Sequence, residues 1–271
     1  MNATQPAGDL TRAEHGGLIF YHVAAWAGLP LVHGFTTRHG GVSPEPFAGL
    51  NLSISVGDTR ANVVENRRRV FTALGRAPDS IADLWQVHSA DVIYATAPRA
   101  PGQDHHGKAD ALITDRPEVT LFLRFADCVP ILLYDRARHV IGLVHAGWRG
   151  TVSGVCAATV SALTRQFGTD PTDVVAAIGP SISGPRYEVG PEVVTAAEAI
   201  LGDRAGEALM SRSGKTHFDL WRANAVVLER AGVSAITIGG LCTADNTHDF
   251  YSHRAEQGRT GRFGALLALA Q

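Results

Sequence analysis

Residues 125–151 read FADCVPILLYDRARHVIGLVHAGWRGT. Two apolar runs, Val129–Tyr134 and Val140–His145, flank a short polar break. Runs of that length, rich in Val, Ile and Leu, read as buried strands. The second run ends in His145-Ala146-Gly147-Trp148-Arg149-Gly150, and a helix is expected over Thr151–Phe167, stopped by Gly168. A strand, a glycine-flanked loop and a helix in succession bring backbone N–H groups to a helix N-terminus, which favours an anion. Arg149 adds a planar guanidinium suited to phosphate. The plainer alternative is a glycine turn anchored by Trp148.

The same patterning runs outward in both directions. Further strands are expected at Gly17–Val23, Leu31–Thr36, Ala90–Ala95, Val119–Phe125, Val174–Ile178 and Ala235–Ile238. Helices are expected at Arg60–Leu74, behind the caps Asp58-Thr59, at Pro191–Leu201 and at Asp219–Ala231. Strands and helices mix without strict alternation. The expected class is α+β, a mixed-sheet layered α/β sandwich, rather than a doubly wound parallel sheet. No linker divides the chain, so residues 17–271 are expected to form a single domain behind a flexible tail over 1–16. Neither GxGxxG after a strand nor GxxxxGK[ST] occurs, so dinucleotide and P-loop nucleotide binding are not indicated.

Composition narrows the function classes. The chain has 271 residues, 45% hydrophobic and 18% charged, which excludes global disorder. Its net charge of −2 supplies no basic excess to draw it onto nucleic acid or an anionic membrane. Three cysteines, at 128, 156 and 242, make no disulfide framework and suit a reducing compartment. No run approaches the ~18 apolar residues of a membrane span. Met1–His15 lack the order of a secretory signal, so a cytoplasmic protein is expected.

Three residues stand out for chemistry. Cys128 and His145 are 17 positions apart, and His88 precedes Cys128 by 40. Two imidazoles and a thiolate are good zinc donors, and three protein ligands leave a catalytic position open. The spacing is too long for a zinc finger, so only the fold can unite them. Cys128 and His145 can equally form a thiolate–imidazolium pair, with Asp127 or another acid orienting the histidine. Each residue alone can also be an ordinary buried or strand-end residue. Arg38, Ser43, Asn51, Arg67, Arg149 and Arg254 are candidate substrate or phosphate contacts in glycine-rich or polar segments. Asp127 is a candidate acid/base or partner of a metal-bound imidazole.

Several ordered motifs between residues 31 and 264 resemble one family. They include His33-Gly34-Phe35-Thr36-Thr37-Arg38, Asn51-Leu52-Ser53, Gln86-Val87-His88, Ala109-Asp110-Ala111, Ala126-Asp127-Cys128-Val129-Pro130, His145-Ala146-Gly147-Trp148-Arg149-Gly150, Ile178-Gly179-Pro180 and Thr260-Gly261-Arg262. The chain is similar to the YfiH-like family, also called the laccase-domain or polyphenol-oxidase family. The resemblance implies a layered fold related to bacterial toxins of the cytotoxic-necrotizing-factor type. It implies Zn2+ on His88, Cys128 and His145, with copper as an alternative or adventitious metal. It also implies phosphorolysis of adenosine, inosine and methylthioadenosine, with adenosine deaminase as a second activity. The implied partners are a purine nucleoside and phosphate, for a monomer or weak homodimer. Family members have also been described as polyphenol oxidases and as peptidoglycan-editing factors, so the alternatives are a Cys-His hydrolase or amidase acting in peptidoglycan editing and a copper-dependent polyphenol oxidase. Three positions depart from the family pattern. Phe125 replaces a small residue before Ala-Asp-Cys, Ser181 follows Gly-Pro where cysteine is usual, and Ala255 replaces an arginine.

Overall fold

The computed structural model describes residues 9–100 and 102–270. In chain order its strands are β1 (Leu10–His15), β2 (Leu18–Val23), β3 (Leu31–Thr36), β4 (Ile81–Ala82), β5 (Val92–Tyr94), β6 (Ala111–Thr114), β7 (Thr120–Phe125), β8 (Val129–Asp135), β9 (Val140–Ala146), β10 (Val174–Ile178), β11 (Leu209–Arg212), β12 (Lys215–Phe218), β13 (Ala235–Ile238) and β14 (Phe263–Leu269). Its α-helices are α1 (Arg60–Ala73), α2 (Trp148–Val152), α3 (Val155–Phe167), α4 (Pro191–Leu201) and α5 (Leu220–Arg230).

Period-two alternation explains how these strands stack. Leu121, Leu123 and Phe125 of β7 share one buried cluster with Leu132 and Tyr134 of β8 and Ile141 and Leu143 of β9. Their alternating neighbours point the other way. Phe122 packs with Val70 and Phe71 of α1, while Ile131, Leu133 and Val144 pack with α3 and α5. The result is a helix–sheet–sheet–helix sandwich, the mixed layered α+β class the sequence predicts. One sheet has the order β1-β2-β3-β14-β7-β4 and the other β13-β10-β8-β9-β6-β5. Both are mixed: β4–β7, β5–β6 and β10–β13 pair parallel and the other neighbours antiparallel. The chain crosses from one sheet to the other between β7 and β8, at Ala126-Asp127-Cys128.

Helix ends follow local chemistry. Thr59 caps α1 by accepting from the Asn62 N–H, and Asp219 caps α5 by accepting from the Arg222 N–H.

The structure departs from the sequence expectations at six places. Residues 10–15, expected within a flexible tail, form β1 and pair in register with β2; residues 1–8 lie outside the described part. The helix expected over Thr151–Phe167 starts earlier, at Trp148, and breaks at Gly154, whose φ of +76° cannot continue a helix. The hairpin β11–β12 and the strands β4 and β6 are additional. So is β14, which lies between β3 and β7. Five of its seven residues, Ala265–Leu269 in the sequence FGALLAL, are the good helix formers Ala and Leu, and it lacks β-branched residues. Burial on both faces overrides that propensity. Truncating its fully buried Leu267 is expected to cost about 2–5 kcal/mol, with an unchanged denaturant slope, in urea unfolding of Leu267→Ala.

Candidate functional site

The crossover between the sheets builds the site. Asp127 turns the chain from β7 into β8 with φ +83°, and His88 sits in the β4–β5 loop with φ +63°. Such left-handed conformations are uncommon for residues with a side chain and concentrate at functional sites. Cys128 follows the turn, and His145 occupies the β9 end, opposite Pro130 in register. His88, Cys128 and His145 thereby come together, with one ligand atom of each within 4.8 Å of the others. Cys128 Sγ is 3.9 Å from His88 Nε2. The two imidazole rings are 5.0 Å apart, centre to centre. His88 is exposed, Cys128 half-buried and His145 buried, so the cluster opens to solvent on one side.

Asp110 holds the cluster from behind. It lies directly before β6 and is fully buried. Its Oδ1 is 2.8 Å from His145 Nδ1, which leaves the Nε2 of that ring to face the other donors. Its Oδ2 accepts the backbone N–H groups of Val87 and Ser89, at 3.1 and 2.6 Å, on either side of His88. One carboxylate therefore fixes two of the three clustered residues. Burial raises the Asp110 carboxyl, but the His145 hydrogen bond and charge outweigh it and hold the group ionised below its usual range. Burial likewise opposes the charged forms of Cys128 and His145. Their mutual attraction wins, lowering the thiol and raising the imidazole. The other two cysteines are different. Burial pushes Cys156 up, and its sulfur meets Asn224 in the core. Cys242 is also buried and accepts the Ser183 N–H.

A cleft of about 1030 Å³ contains the cluster, large enough for a nucleoside-sized ligand. Eight arginines line it against two carboxylates, Asp104 and Asp127. Arg60 pairs with Asp104, Arg68 with Glu65, and Arg67 and Arg99 with the buried Asp83, which leaves Arg124, Arg149, Arg254 and Arg262 as the cleft arginines without a carboxylate partner among the described residues. Burial, and then the nearby Arg124, push the Arg67 pKa down to about 10 against the pull of Asp83. Arg149 stacks on Trp148 and Arg254 on Tyr187, at 4.5 and 4.9 Å from the ring centres. Burial, and then the Cys128 charge, push Tyr187 up to about 12, so it stays a neutral phenol.

The residues expected at the site divide. Arg67, Arg149 and Arg254 line the cleft; Arg38, Ser43 and Asn51 do not. Arg38 is spent on the carbonyls of Ala48 and Thr247 and on Glu256. Ser43 donates to Asp58 and Asn51 donates to Asp58 and Ser53, so both brace a loop. Asn51 still acts at one remove, since its Oδ1 accepts the backbone N–H of the cleft residue Arg262. Asp127 lines the cleft, but its oxygens accept from Thr243 Oγ1 and the Arg254 N–H, both at 2.6 Å. The carboxylate behind the imidazole is Asp110 and not Asp127. Sequence reasoning assigned no role to Asp110 or Arg262, although both lie in quoted motifs. Phe125 forms no cleft wall; it packs under His145, ring centres 5.4 Å apart. Ser181 is buried and accepts from Trp221 Nε1, and Ala255 is an exposed loop residue.

An α/β/β/α sandwich with a Cys–His cluster in an arginine-lined cleft is the class of protein described. The family model described as multi-copper polyphenol oxidoreductase laccase matches residues 32–270. A purine nucleoside phosphorylase of Deinococcus radiodurans is 44% identical over 250 residues, covering 89% of this chain and 94% of that protein. The crystal structure of YlmD from Geobacillus stearothermophilus superposes with TM-score 0.92 at 34% identity, over 97% of this chain and all of that one. A Bacillus licheniformis hypothetical protein YfiH superposes with TM-score 0.88 at 32% identity, over 94% and 97% of the two chains. The chain belongs to this laccase-like YfiH family.

Proposed function

We propose that the protein is a zinc-dependent purine nucleoside enzyme of the cytoplasm. It phosphorolyses adenosine, inosine and methylthioadenosine to base and ribose 1-phosphate, and deaminates adenosine. The observation that carries this reading is the meeting of His88, Cys128 and His145 inside a cleft lined by arginines. The name of the Deinococcus radiodurans relative, purine nucleoside phosphorylase, supports it. Residues 17–271 act in it as one catalytic domain. No helix among the described residues is long and apolar enough to cross a membrane.

The donor set fits zinc. One thiolate and two imidazoles converge, Asp110 fixes the tautomer of His145, and Gly147 leaves the space a side chain would fill. Multinuclear copper is a poorer match, because the chain has no His-x-His and Met210 is its one methionine besides Met1. Copper fits better as an adventitious occupant of the same donors. Zinc with an open position supplies a Lewis acid that polarises a substrate oxygen or lowers the pKa of water.

Phosphorolysis joins a phosphate oxygen to the ribose C1′ while the bond to the base breaks and its electron pair leaves on the base. Arg149 and Arg254 hold the phosphate by charge and forked hydrogen bonds; Arg67 and Arg262, whose guanidiniums are spent on the Leu52, Thr260 and Gly261 carbonyls and on Asp83, add charge alone. Trp148 and Tyr187 offer flat walls to the base. Asp127 keeps a negative charge on the cleft wall, where it offsets the positive charge the ribose develops. Its bond to the Arg254 N–H also fixes the loop that carries that arginine.

The test is incubation of the zinc-loaded protein with adenosine, with and without phosphate, and chromatography of the products. Phosphate-dependent adenine or phosphate-independent inosine is expected. No turnover by folded, metallated protein overturns the reading. A second reading rests on the polarised Cys128–His145 pair backed by Asp110, which is also the arrangement of a cysteine hydrolase. Such an enzyme survives chelation and dies with iodoacetamide. Asp110→Asn is expected to weaken zinc about 10–100-fold, as loss of a partner behind a metal-bound imidazole does. Its amide NH2 then faces either the Val87 and Ser89 N–H groups or the His145 Nδ1–H, and one of the two contacts is lost. Competition with a chromophoric chelator measures the change.

A further inference from the structure

A second cluster lies outside the cleft. His39 follows β3, and His248 and Asp249 lie between β13 and β14. One donor atom of each is within 4.8 Å of the other two. His39 Nε2 is 2.9 Å from Asp249 Oδ1, and the His39 and His248 rings are 5.0 Å apart. None of the three lines the cleft. We propose that His39, His248 and Asp249 form a second site for a divalent cation of the zinc type.

Three features favour a cation over a simple hydrogen-bonded pair. First, the carboxylate divides its oxygens. Asp249 Oδ2 accepts from Tyr21 Oη at 2.6 Å and lies 3.5 Å from Arg12 Nε, while Oδ1 faces the histidines. The carboxylate is thereby held by its far oxygen with Oδ1 turned to the histidines, as the partners of a metal ligand hold it. Second, the two loops are pinned to each other. The Arg38 N–H donates to the Asp249 carbonyl at 2.8 Å, and the Arg38 guanidinium donates to the Thr247 carbonyl at 2.9 Å. Arg38, expected to hold phosphate, instead locks the backbone on both sides of this cluster. Third, two imidazoles and one carboxylate are a common donor set for zinc and for non-haem iron. His248 is exposed, which leaves a side open for water.

The required movements are small. Tetrahedral zinc places its N and O ligands about 3.3 Å apart, given metal–ligand distances near ~2.0 Å. His39 and Asp249 separate slightly from 2.9 Å, and the exposed His248 rotates inward. Arg12 is the cation nearest the carboxylate. It contacts the far oxygen, and its side chain is half-exposed and free to turn to solvent. A cation there would tie the β1–β2 edge, through Tyr21, to the loops after β3 and before β14. This inference stands apart from the nucleoside reading, because it uses neither the cleft nor its metal.

The test is a metal count. Full-length protein is stripped with chelator, dialysed against Zn2+ and analysed by mass spectrometry for zinc per chain. His248→Ala is expected to lose one equivalent relative to wild type, and His39→Ala the same. Cys128→Ala should keep the equivalent that the double variant Cys128→Ala/His248→Ala loses. Cobalt separates the sites further. The cleft site gives a thiolate-to-metal band that Cys128→Ala removes, whereas the second site contributes only weak visible bands that His248→Ala removes. An equal zinc count in wild type and His248→Ala overturns the proposal, wherever the zinc then sits. Circular dichroism checks that the variants are folded, and the exposed position of His248 makes its loss harmless to the core.

Discussion

Cys128→Ala is expected to abolish tight zinc binding in the cleft and to lower kcat/KM for adenosine phosphorolysis by about 10³-fold or more. Lewis-acid stabilisation is worth several kcal/mol, and each 1.4 kcal/mol is about tenfold in rate. The thiolate is also the one anionic donor of the three, so its loss leaves two neutral imidazoles to hold a dication. Cys128 is half-buried, and its truncation opens no large cavity. The variant should therefore melt close to the zinc-free wild type, which separates loss of chemistry from loss of fold. Asp110 continues to orient His145 in its absence. Isothermal calorimetry with zinc and a product assay read the two effects. Undiminished phosphorolysis by highly purified Cys128→Ala would remove zinc from the mechanism. Because a cysteine hydrolase also dies with this substitution, chelation of the wild-type protein is the companion measurement. Activity lost to chelator and restored by Zn2+ assigns the loss to the metal.

Gly147→Ala is the second large effect, and its cause is steric alone. Gly147 caps α2 with φ −72°, which any residue adopts, so no backbone strain arises. A Cβ built there, however, meets Cys128 Sγ at 2.8 Å and His88 Cδ2 at 3.0 Å. Neither neighbour retreats easily. His88 is held at φ +63° between two N–H groups bonded to Asp110, and Cys128 follows the left-handed turn at Asp127. The added methyl displaces two of the three donors from their common point. Zinc affinity is expected to fall about 10–100-fold, the range seen when ligand orientation is disturbed. Gly150→Ala is the control, since its nearest contacts, at 3.4 Å, are backbone carbonyls of His145 and Ser89 that a small shift accommodates. Unchanged zinc affinity in folded Gly147→Ala would mean that the donors do not converge on one ion.

Much of the architecture was legible because burial imposes a period. The runs around β8, β9 and β10 are apolar on both faces, as strands between two layers must be. Capping residues and glycines placed the ends of α1, α4 and α5 to within a residue or so. The candidate metal donors were legible only through the motifs around them, since His88, Cys128 and His145 stand 57 positions apart end to end. Their convergence depends on the crossover between sheets and on Asp110, which touches both histidine segments. Of the six phosphate candidates the structure brings Arg67, Arg149 and Arg254 to the cleft and not Arg38, Ser43 or Asn51, because polar residues in loops look alike until their partners are seen. Arg149 and Arg254 reach the cleft, whereas Arg38 is consumed by carbonyls and Glu256.

By itself the sequence determined what local patterns encode: an α+β chain of alternating buried strands, the boundaries of α1, α4 and α5, and a short set of residues able to bind a metal or an anion. Tertiary structure alone decided which of those residues meet. It made a central strand of the helix-prone FGALLAL segment, because a site buried on both faces rewards apolar area more than local propensity. It chose Asp110 over Asp127 as the carboxylate behind His145, because β6 lies beside β9. It also drew His39 to His248 and Asp249 across more than two hundred residues. Local sequence carries no record of such distances; they are set when layers pack and loops at one end of a sandwich are forced together.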